Sequence, residues 1–480
     1  MSRVLGWLAC VPLVACAPAV RSPSWQAVEL PAAYADGAPG ASSIASLDWR
    51  TFFADEDLGR LIEQALANNF DLQIALQRIE VARAQASRIS GARLPEIGLV
   101  ASASMRRFGD YTMDGAGNAA TQIRPGERVP VHYPELFAGL QATWEPDLWG
   151  KLAKLGGAAR ARYLASLEGA NLVVANLIAD LAIAYYELLA VDEMLAITRE
   201  SMAQQERMLG LMSIEKQAGR TTELAIQQFA AQLASTRALA SSMAHQQRAL
   251  ENQLAILGGR LPAAISRTRG LLEREVPSVL ATGVPSELLR RRPDIRAAEL
   301  AVQAAHYDVG AARAAFYPRL RITARLGYQA FNPKFLLSTP ESLAYSLLGG
   351  LVAPLVNRSG IRAELEIANA MQLEAMARYQ QVVIRSFAEV STELFRIARL
   401  GEVVDQHRQK VTAIAETVTA ADALFRAGRA TYLEVLLAHQ NTLQSRLELV
   451  GALRDRLVAR VKLYKALGGG WQGALAPTSR

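Results

Sequence analysis

The chain has 480 residues, of which 51% are hydrophobic and 20% charged, and its formal net charge is +7. A chain of this composition can bury a large core and is not disordered. Its only cysteines are Cys10 and Cys16, and its histidines show no ligand-like spacing, which excludes a disulfide framework and argues against a metal site. The basic excess is modest, so nucleic-acid binding has little support.

The first residues predict a signal peptide that ends at a lipidation site. The apolar stretch 4–14 follows a basic residue and is too short to cross a bilayer. It ends in Leu13-Val14-Ala15-Cys16, which resembles a bacterial lipobox, in which the cysteine is lipidated and becomes the mature N-terminus. We therefore expect a signal peptide at 1–15 and a lipidated tether at 16–47, rich in Pro, Ala, Ser and Gly. The alternative is an ordinary signal peptide with an incidental cysteine.

Two long segments, 147–261 and 355–476, contain no proline and are predicted to be helical almost throughout. Apolar residues in both follow the alternating three- and four-residue steps of a coiled-coil seam, interrupted by polar side chains. One seam runs from Ile226 to Leu257 and includes Phe229, Leu233 and Leu250, and the other runs from Leu433 to Tyr464. Each segment has one break, at Gly219-Arg220-Thr221 and at Gly428-Arg429-Ala430. Glycine can end a helix and a following threonine can begin the next, so each segment is predicted to be a helical hairpin with its tip near 219 or 428.

The two halves of the chain form an internal two-fold repeat. A shift of 223 residues aligns Pro95 with Pro318, and a shift of 209 aligns Gly219 with Gly428. The predicted organisation is repeat 1 at 48–270, a connection at 271–285, repeat 2 at 286–471 and a C-terminal tail at 472–480.

Four stretches of about ten residues alternate between apolar and mostly polar side chains. They lie at about 96–106, 135–145, 319–329 and 345–353. This length and period are typical of transmembrane β-strands, although a half-buried sheet in a soluble protein has the same period. Beyond the leader, the chain has no continuous apolar run of 18 residues, which argues against membrane helices.

The polar strand faces carry Arg106, Arg321 and Arg325. In a barrel these side chains would point to the lumen and make a positive exit. The alternative for any single one of them is simple hydration of a wide channel. Four strands cannot close a membrane barrel alone, because open edges are not tolerated in lipid. The barrel must then be shared, and two, three or four copies would give eight, twelve or sixteen strands. The strand number alone does not choose among these.

The sequence carries no enzymatic motif. It lacks a Gly-x-Ser-x-Gly nucleophile motif, a Walker phosphate loop and a His-Glu-x-x-His metal motif. We therefore expect no catalytic residue, cofactor or metal, and energy for any transport would come from a partner protein.

Five motifs in order resemble the outer membrane factor family, the TolC-like and OprM-like exit ducts of bacterial tripartite efflux pumps. The resemblance covers about 48–471 and is greatest to the NodT-like lipoprotein branch that serves pumps of the resistance–nodulation–division (RND) type. The motifs are LIEQALANN at 61–69, EPDLWGK at 145–151, LRRRPDI at 289–295, ARAAFYP at 312–318 and ALGGGW at 466–471.

The resemblance implies a homotrimer in which three chains share a twelve-stranded barrel in the outer membrane of a Gram-negative bacterium. The hairpins would form a periplasmic α-barrel that passively conducts small molecules such as drugs. An adaptor protein would meet the tips Gly219, Arg220, Thr221, Gly428, Arg429 and Ala430 and couple the duct to an RND pump. Lipid would hold Cys16 in the outer membrane.

The resemblance also implies a closed tip end with Glu434 as the candidate aperture acid. Three copies would place three carboxylates around one axis. The chain departs from members with an acid two residues after the tip glycine, since Ala430 stands there.

Two other functions remain open at this point. One is the outer-membrane channel of a protein secretion system, because a tunnel does not discriminate between cargoes. The other is a non-channel envelope lipoprotein with coiled coils, against which the four amphipathic strands argue.

Overall fold

The computed structural model describes residues 29–35, 43–267, 282–353 and 359–474. The helices are α1 (Trp49–Phe53), α2 (Glu56–Asn68), α3 (Phe70–Gly91), α4 (Met113–Ala120), α5 (Lys151–Gln217), α6 (Glu223–Leu257), α7 (Leu288–Arg291), α8 (Pro293–Ala314), α9 (Ser359–Arg426) and α10 (Tyr432–Ala466). The strands are β1 (Glu96–Arg106), β2 (Gln122–Arg124), β3 (Glu127–Arg128), β4 (Tyr133–Trp144), β5 (Arg319–Ala330) and β6 (Leu343–Val352).

These residues form two compact units, and each unit takes segments from both halves of the chain. Within the described residues, the sheet unit comprises Val81–Tyr163 and Leu300–Met376. The helical unit comprises the described parts of Trp25–Glu80, Leu164–Glu299 and Ala377–Arg480.

The sheet unit contains one four-stranded antiparallel sheet in the order β1-β4-β5-β6. These are the four stretches whose alternation predicted strands, and their bounds lie within two residues of the predicted ones. The small hairpin β2–β3 and helix α4 lie between β1 and β4. The sequence did not predict this insertion, because it is short and has no sustained apolar period.

The two faces of the sheet differ in the way the alternation predicts. One face exposes large apolar side chains, including Leu99 at 84% and Leu347 at 76% of their full accessible surface. Gly139 and Gly327 lie directly opposite each other on the polar face. A Cβ added to either would come within 2.4–2.6 Å of the backbone of the other strand, so both positions require glycine.

Two of the family-like motifs meet beside the sheet. The indole of Trp149 donates a hydrogen bond to the carbonyl of Pro318 at 2.7 Å and stacks on Tyr317 with 4.9 Å between ring centroids. The carboxylate of Asp147 accepts hydrogen bonds from the backbone N–H groups of Leu152 and Ala153. Asp147 therefore satisfies two of the free donors at the start of α5.

The main core of the helical unit joins α1 and α2 to the long helices α5, α6 and α10. Tyr464 stacks on Phe52 with 3.9 Å between ring centroids, and its hydroxyl donates to the carbonyl of Leu47 at 2.7 Å. These contacts join α1 and the residues just before it to the end of α10.

Helices α5 and α9 have 67 and 68 residues, so each is about 100 Å long at 1.5 Å per residue. Helix α5 contains an 18-residue stretch that is apolar enough to cross a membrane by length and composition alone. The sequence contains no continuous apolar run here, because scattered polar residues interrupt the stretch, so it was not predicted as a candidate membrane helix. Because 67% of the stretch is buried inside the protein, we interpret it as part of the core.

Both hairpins are fastened at their bases by equivalent contacts. In repeat 1, the Asn69 side chain donates to the carbonyl of Leu257 at 2.9 Å. In repeat 2, the equivalent residue is Arg292, which donates to the carbonyl of Ala466 at 2.9 Å. The equivalent position of each repeat thus donates a hydrogen bond to the end of its hairpin, from an amide group in repeat 1 and from a guanidinium group in repeat 2.

Candidate functional site

The tip of the first hairpin is a helix end closed by glycine. Gly219 has a φ of +70° and its N–H donates to the carbonyl of Lys216, while the N–H of Arg220 donates to the carbonyl of Glu215. Thr222 then caps α6. These bonds satisfy carbonyls that a helix end leaves free.

The second tip repeats this geometry. Gly428 has a φ of +68°, and the N–H of Arg429 donates to the carbonyl of Leu424 at 2.8 Å. Thr431 caps α10. The turn chemistry predicted from glycine followed by threonine is therefore present in both hairpins. The glycine and the arginine of each tip are exposed, whereas Thr221 and Ala430 are half-buried.

Glu434 lies in the first turn of α10, where its carboxylate turns back onto Thr431. It accepts a hydrogen bond from the backbone N–H of Thr431 at 2.6 Å and one from its hydroxyl at 2.9 Å. The Thr431 hydroxyl in turn accepts from the N–H of Glu434 at 3.4 Å, which completes a capping box. The backbone and hydroxyl bonds lower the pKa of Glu434, so the side chain is ionised near neutral pH.

The polar face of the sheet holds the three arginines predicted to face the lumen, and the contacts of the three differ. Arg106 forms an ion pair with Glu135 at 3.2 Å. Arg325 donates from Nε to the side-chain oxygen of Gln141 at 2.8 Å. Arg321 is exposed and lies opposite Gly350. The positive charge that the sequence predicts at the exit is therefore partly neutralised, by Glu135 beside Arg106.

Two partners on this face were missed by sequence reasoning. Glu135 also accepts a hydrogen bond from Gln329 at 2.8 Å, and Phe137 packs below Arg325 with its ring centroid 5.7 Å from the guanidinium carbon. The sequence did contain a signal for both. Side chains two residues apart along a strand lie on the same face, so Phe137 and Glu135 share the polar face of β4 with Gln141 and Thr143. The predicted strand began at residue 135, so its first side chain was not weighed as a partner.

The helical unit contains a cavity of about 620 Å³ among α5, α9, α10 and the start of α8. Asp180 and Glu393 line it, and burial raises the pKa of both carboxyl groups. Lys465 opposes the shift of Asp180, and Arg396 and Lys462 oppose that of Glu393. No sequence motif predicted this cavity, because its lining comes from distant parts of the chain.

Arg292 lies at one end of this cavity and is almost fully buried. Its guanidinium forms two bonds to Asp294, at 3.0 and 2.7 Å, and one to Glu389 at 2.9 Å. Arg292, the last residue of the run of three arginines, thus has polar contacts within the fold, beside the helix that begins at Pro293 and Asp294.

Two predicted features cannot be placed on this geometry. Cys16 and most of the tether lie outside the described residues.

Among residues 29–35, 43–267, 282–353 and 359–474, no group of three or more His, Cys, Asp or Glu side chains could hold a metal ion.

Comparison with known proteins identifies the family. The family model "Outer membrane efflux protein" matches residues 61–260 and 284–469. The chain is 32% identical to the outer membrane protein OprJ of Pseudomonas aeruginosa, over 90% of this chain and 88% of OprJ. It is 29% identical to the probable outer membrane lipoprotein SilC of Salmonella typhimurium, over 90% of each chain.

The fold matches as well. The open state of the MtrE outer membrane channel of Neisseria gonorrhoeae superposes with a TM-score of 0.82 at 25% identity, covering 94% of this chain and 98% of MtrE. The family is one of efflux proteins and MtrE is an outer membrane channel, which favours the duct over the non-channel lipoprotein. The chain therefore belongs to the outer membrane efflux protein family and is an outer-membrane exit duct of a tripartite efflux system in a Gram-negative bacterium.

Proposed function

We propose that three copies of the chain assemble into a passive duct whose membrane part is a twelve-stranded barrel. The sheet carries this proposal, because it exposes an apolar face and has two edge strands, β1 and β6. Among the described strands, no partner pairs with the outer edge of either one. Backbone groups in lipid must be paired, so the missing neighbours must be strands of other copies.

The long hairpins form the periplasmic α-barrel of this duct, and the cargo consists of small molecules, such as drugs, delivered by an RND pump. The lengths of α5 and α9 support this proposal, since a helix of about 100 Å is far longer than a typical globular domain is wide. Motion of cargo needs no energy source in this chain, because the pump supplies it.

The hairpin tips are the proposed contact surface for the adaptor protein. Gly219, Arg220, Gly428 and Arg429 are exposed in the single chain and therefore accessible for docking, and Arg220 is paired there with Glu215 at 3.8 Å. Thr221 and Ala430 complete the two turns. Because both tips have the same backbone geometry, one adaptor fold can meet both.

Glu434 is the proposed acid of the aperture at the tip end. The capping box supports this role, since it holds the carboxylate in one place and its hydrogen bonds keep it ionised. Three fixed carboxylates would favour cations at a constriction.

Cys16 is the proposed lipid anchor, and the description of SilC as a probable outer membrane lipoprotein supports it. Several acyl chains, each worth about 0.8 kcal/mol per buried CH₂ group, give stable anchoring. Intact mass measurement of the mature protein tests this, because lipidation adds the mass of the acyl chains and Cys16→Ser should remove it.

Single-channel recording in planar bilayers, combined with the mass of the protein in detergent, tests the duct itself. We expect a trimer that inserts and shows small, flickering conductance. A monomer without conductance would overturn the shared barrel and return the strands to a soluble sheet.

A further inference from the structure

The polar face of the sheet has a small cavity that the duct proposal does not use. Its volume is about 190 Å³, and its lining includes Ser102, Ser104, Phe137, Arg325 and Ser346 from all four strands. We refer to this cavity as the Arg325 niche. It lies within the sheet unit, at the level where Arg325 pairs across with Ser346.

The charges around the niche are unbalanced. Arg106, at one side, is neutralised by Glu135 at 3.2 Å. Arg325 has no such partner: among the described residues, no carboxylate oxygen comes within 4.0 Å of its guanidinium. Its one polar contact is with the neutral amide of Gln141. The niche therefore carries one uncompensated positive charge.

The donors of Arg325 are also largely unused. A guanidinium has five N–H groups, and only the Nε–H is engaged, by Gln141. The ring of Phe137, which is 7% exposed, supports the guanidinium from one side. The ring contact and the hydrogen bond to Gln141 hold the planar guanidinium in place. Its remaining N–H groups have no acceptor among the side chains that the structure describes.

The remaining polar groups suit an anion. Ser102, Ser104 and Ser346 contribute hydroxyls, which can donate to an oxyanion. An arginine fork matches carboxylates, sulfonates and phosphates better than a point charge does, because two parallel N–H groups meet two oxygens. The only carboxylate of the niche, Glu135, is already engaged by Arg106 and Gln329.

We propose that the Arg325 niche is an anion-binding subsite on the wall of the barrel, with one copy in each chain of the duct. It binds oxyanions of small solutes weakly as they leave and gives the barrel a preference for anions. This inference rests on the proposed duct, since only closure of the barrel turns the polar face to a lumen.

Ion selectivity of the purified trimer in planar bilayers tests the proposal. We expect Arg325→Gln to lower the chloride-to-potassium permeability ratio, measured from the reversal potential in a KCl gradient. Arg321→Gln is the matched control, because Arg321 lies on the same strand and the same face but outside the niche. It removes the same charge and should shift the reversal potential much less.

A second measurement distinguishes an anion-binding site from a general electrostatic effect of the arginine charge on ion permeability. Inorganic phosphate, added at constant ionic strength, should reduce the wild-type chloride current in a saturable way, and Arg325→Gln should abolish this saturation. Equal shifts in both arginine variants, or no effect of phosphate, would overturn the subsite while the duct stands. A wild-type protein that neither forms trimers nor conducts would instead count against the duct.

Discussion

At the scale of single residues, Glu434 combines two properties, a capping hydrogen bond and a negative charge, that an alanine substitution cannot separate. Glu434→Ala removes both the capping box and the carboxylate, whereas glutamine at this position can keep the box without the charge. If three carboxylates line the aperture, we expect Glu434→Ala to enlarge the single-channel conductance. Glu434→Gln should leave the bore nearly unchanged but reduce the preference for cations.

The control for this prediction is Thr431→Ala, which removes the other half of the box and leaves the charge. Loss of an N-cap destabilises a helix by about 1 kcal/mol. If Glu434→Ala and Thr431→Ala lower thermal stability alike and neither changes the conductance, Glu434 is a capping residue only.

The carboxyl groups of Asp180 and Glu393, which line the cavity of the helical unit and are each partly desolvated, predict a pH dependence of stability. Burial raises the pKa of each, so the folded protein holds protons there that the unfolded chain releases at a pH of about 4. The stabilisation is complete below the unfolded pKa and is lost as the pH rises through the folded pKa. The double variant Asp180→Asn/Glu393→Gln should remove this loss.

Thermal unfolding of the trimer in detergent between pH 4 and pH 7 measures this effect. The melting temperature of the double variant, relative to the wild type, should rise with pH over this range. Glu402→Gln on the surface of α9 is a suitable control, because its carboxylate is exposed and bound to Arg399. Parallel pH profiles of wild type and double variant would show that the two carboxyl groups are not the source.

At the scale of the element, the two tip turns depend on glycine for a conformational reason. Gly219 and Gly428 have φ near +70°, which costs other residues roughly 1–2 kcal/mol. We expect Gly219→Ala or Gly428→Ala to destabilise its hairpin tip by about this amount. Faster amide hydrogen exchange in the last turns of α5 or α9 would report it.

Gly210 provides a matched control for the tip glycines. It lies near the same end of α5 but within the helix, and a Cβ there would meet nothing within 4 Å. Gly210→Ala should therefore stabilise the helix by about 0.5–1 kcal/mol and slow exchange locally. Faster exchange in all three variants would contradict the conformational reason, because Gly210, which lies within the helix, would then respond to an added side chain in the same way as the two glycines with positive φ.

Elements were predictable where one local signal decides them. Proline-free stretches, glycine breaks and two-residue alternation predicted the hairpins and the four strands, and the buried residues of α6 follow its predicted seam, including Phe229, Leu233 and Leu250. The seam of α10 was wrong at its start, where Leu433 is 46% exposed and Val435 is buried instead.

Contacts between distant segments were not predictable from one sequence. Asn69 with Leu257, and Arg292 with Glu389 and Ala466, join residues whose spacing along the chain carries no period. The same limit applied to Arg106, which looked like a free charge until the register placed Glu135 on its face.

At the scale of the whole molecule, the motifs that identify the family are fastening points of the fold. The motif at 289–295 meets the one at 466–471, where the indole of Trp471 donates to the carbonyl of Arg291 at 3.1 Å. A Cβ on Gly468 would come within 2.9 Å of that same backbone carbonyl group, so the close approach requires glycine. The strand surfaces, apart from Gly139 and Gly327, need only the alternation of apolar and polar side chains, which explains why no strand supplied a motif.

The orientation of the sheet in the duct can be tested with two neighbouring residues of β1. Leu99 belongs to the exposed apolar face, and Val100 belongs to the polar face, where its neighbours across the sheet are Gly139 and Gly327. Arginine on the lipid face of a barrel, near the middle of the membrane, costs about 2–4 kcal/mol, whereas arginine facing the lumen stays in water.

We therefore expect Leu99→Arg to weaken or abolish the heat-resistant trimer and Val100→Arg to leave it intact. The two variants introduce the same side chain at adjacent positions of one strand, so expression, charge and strand propensity are matched. Trimer recovery after heating, measured by electrophoresis in detergent, is the readout. Equal recovery of both variants would contradict a membrane-embedded apolar face, and with it the argument that three chains must share one barrel.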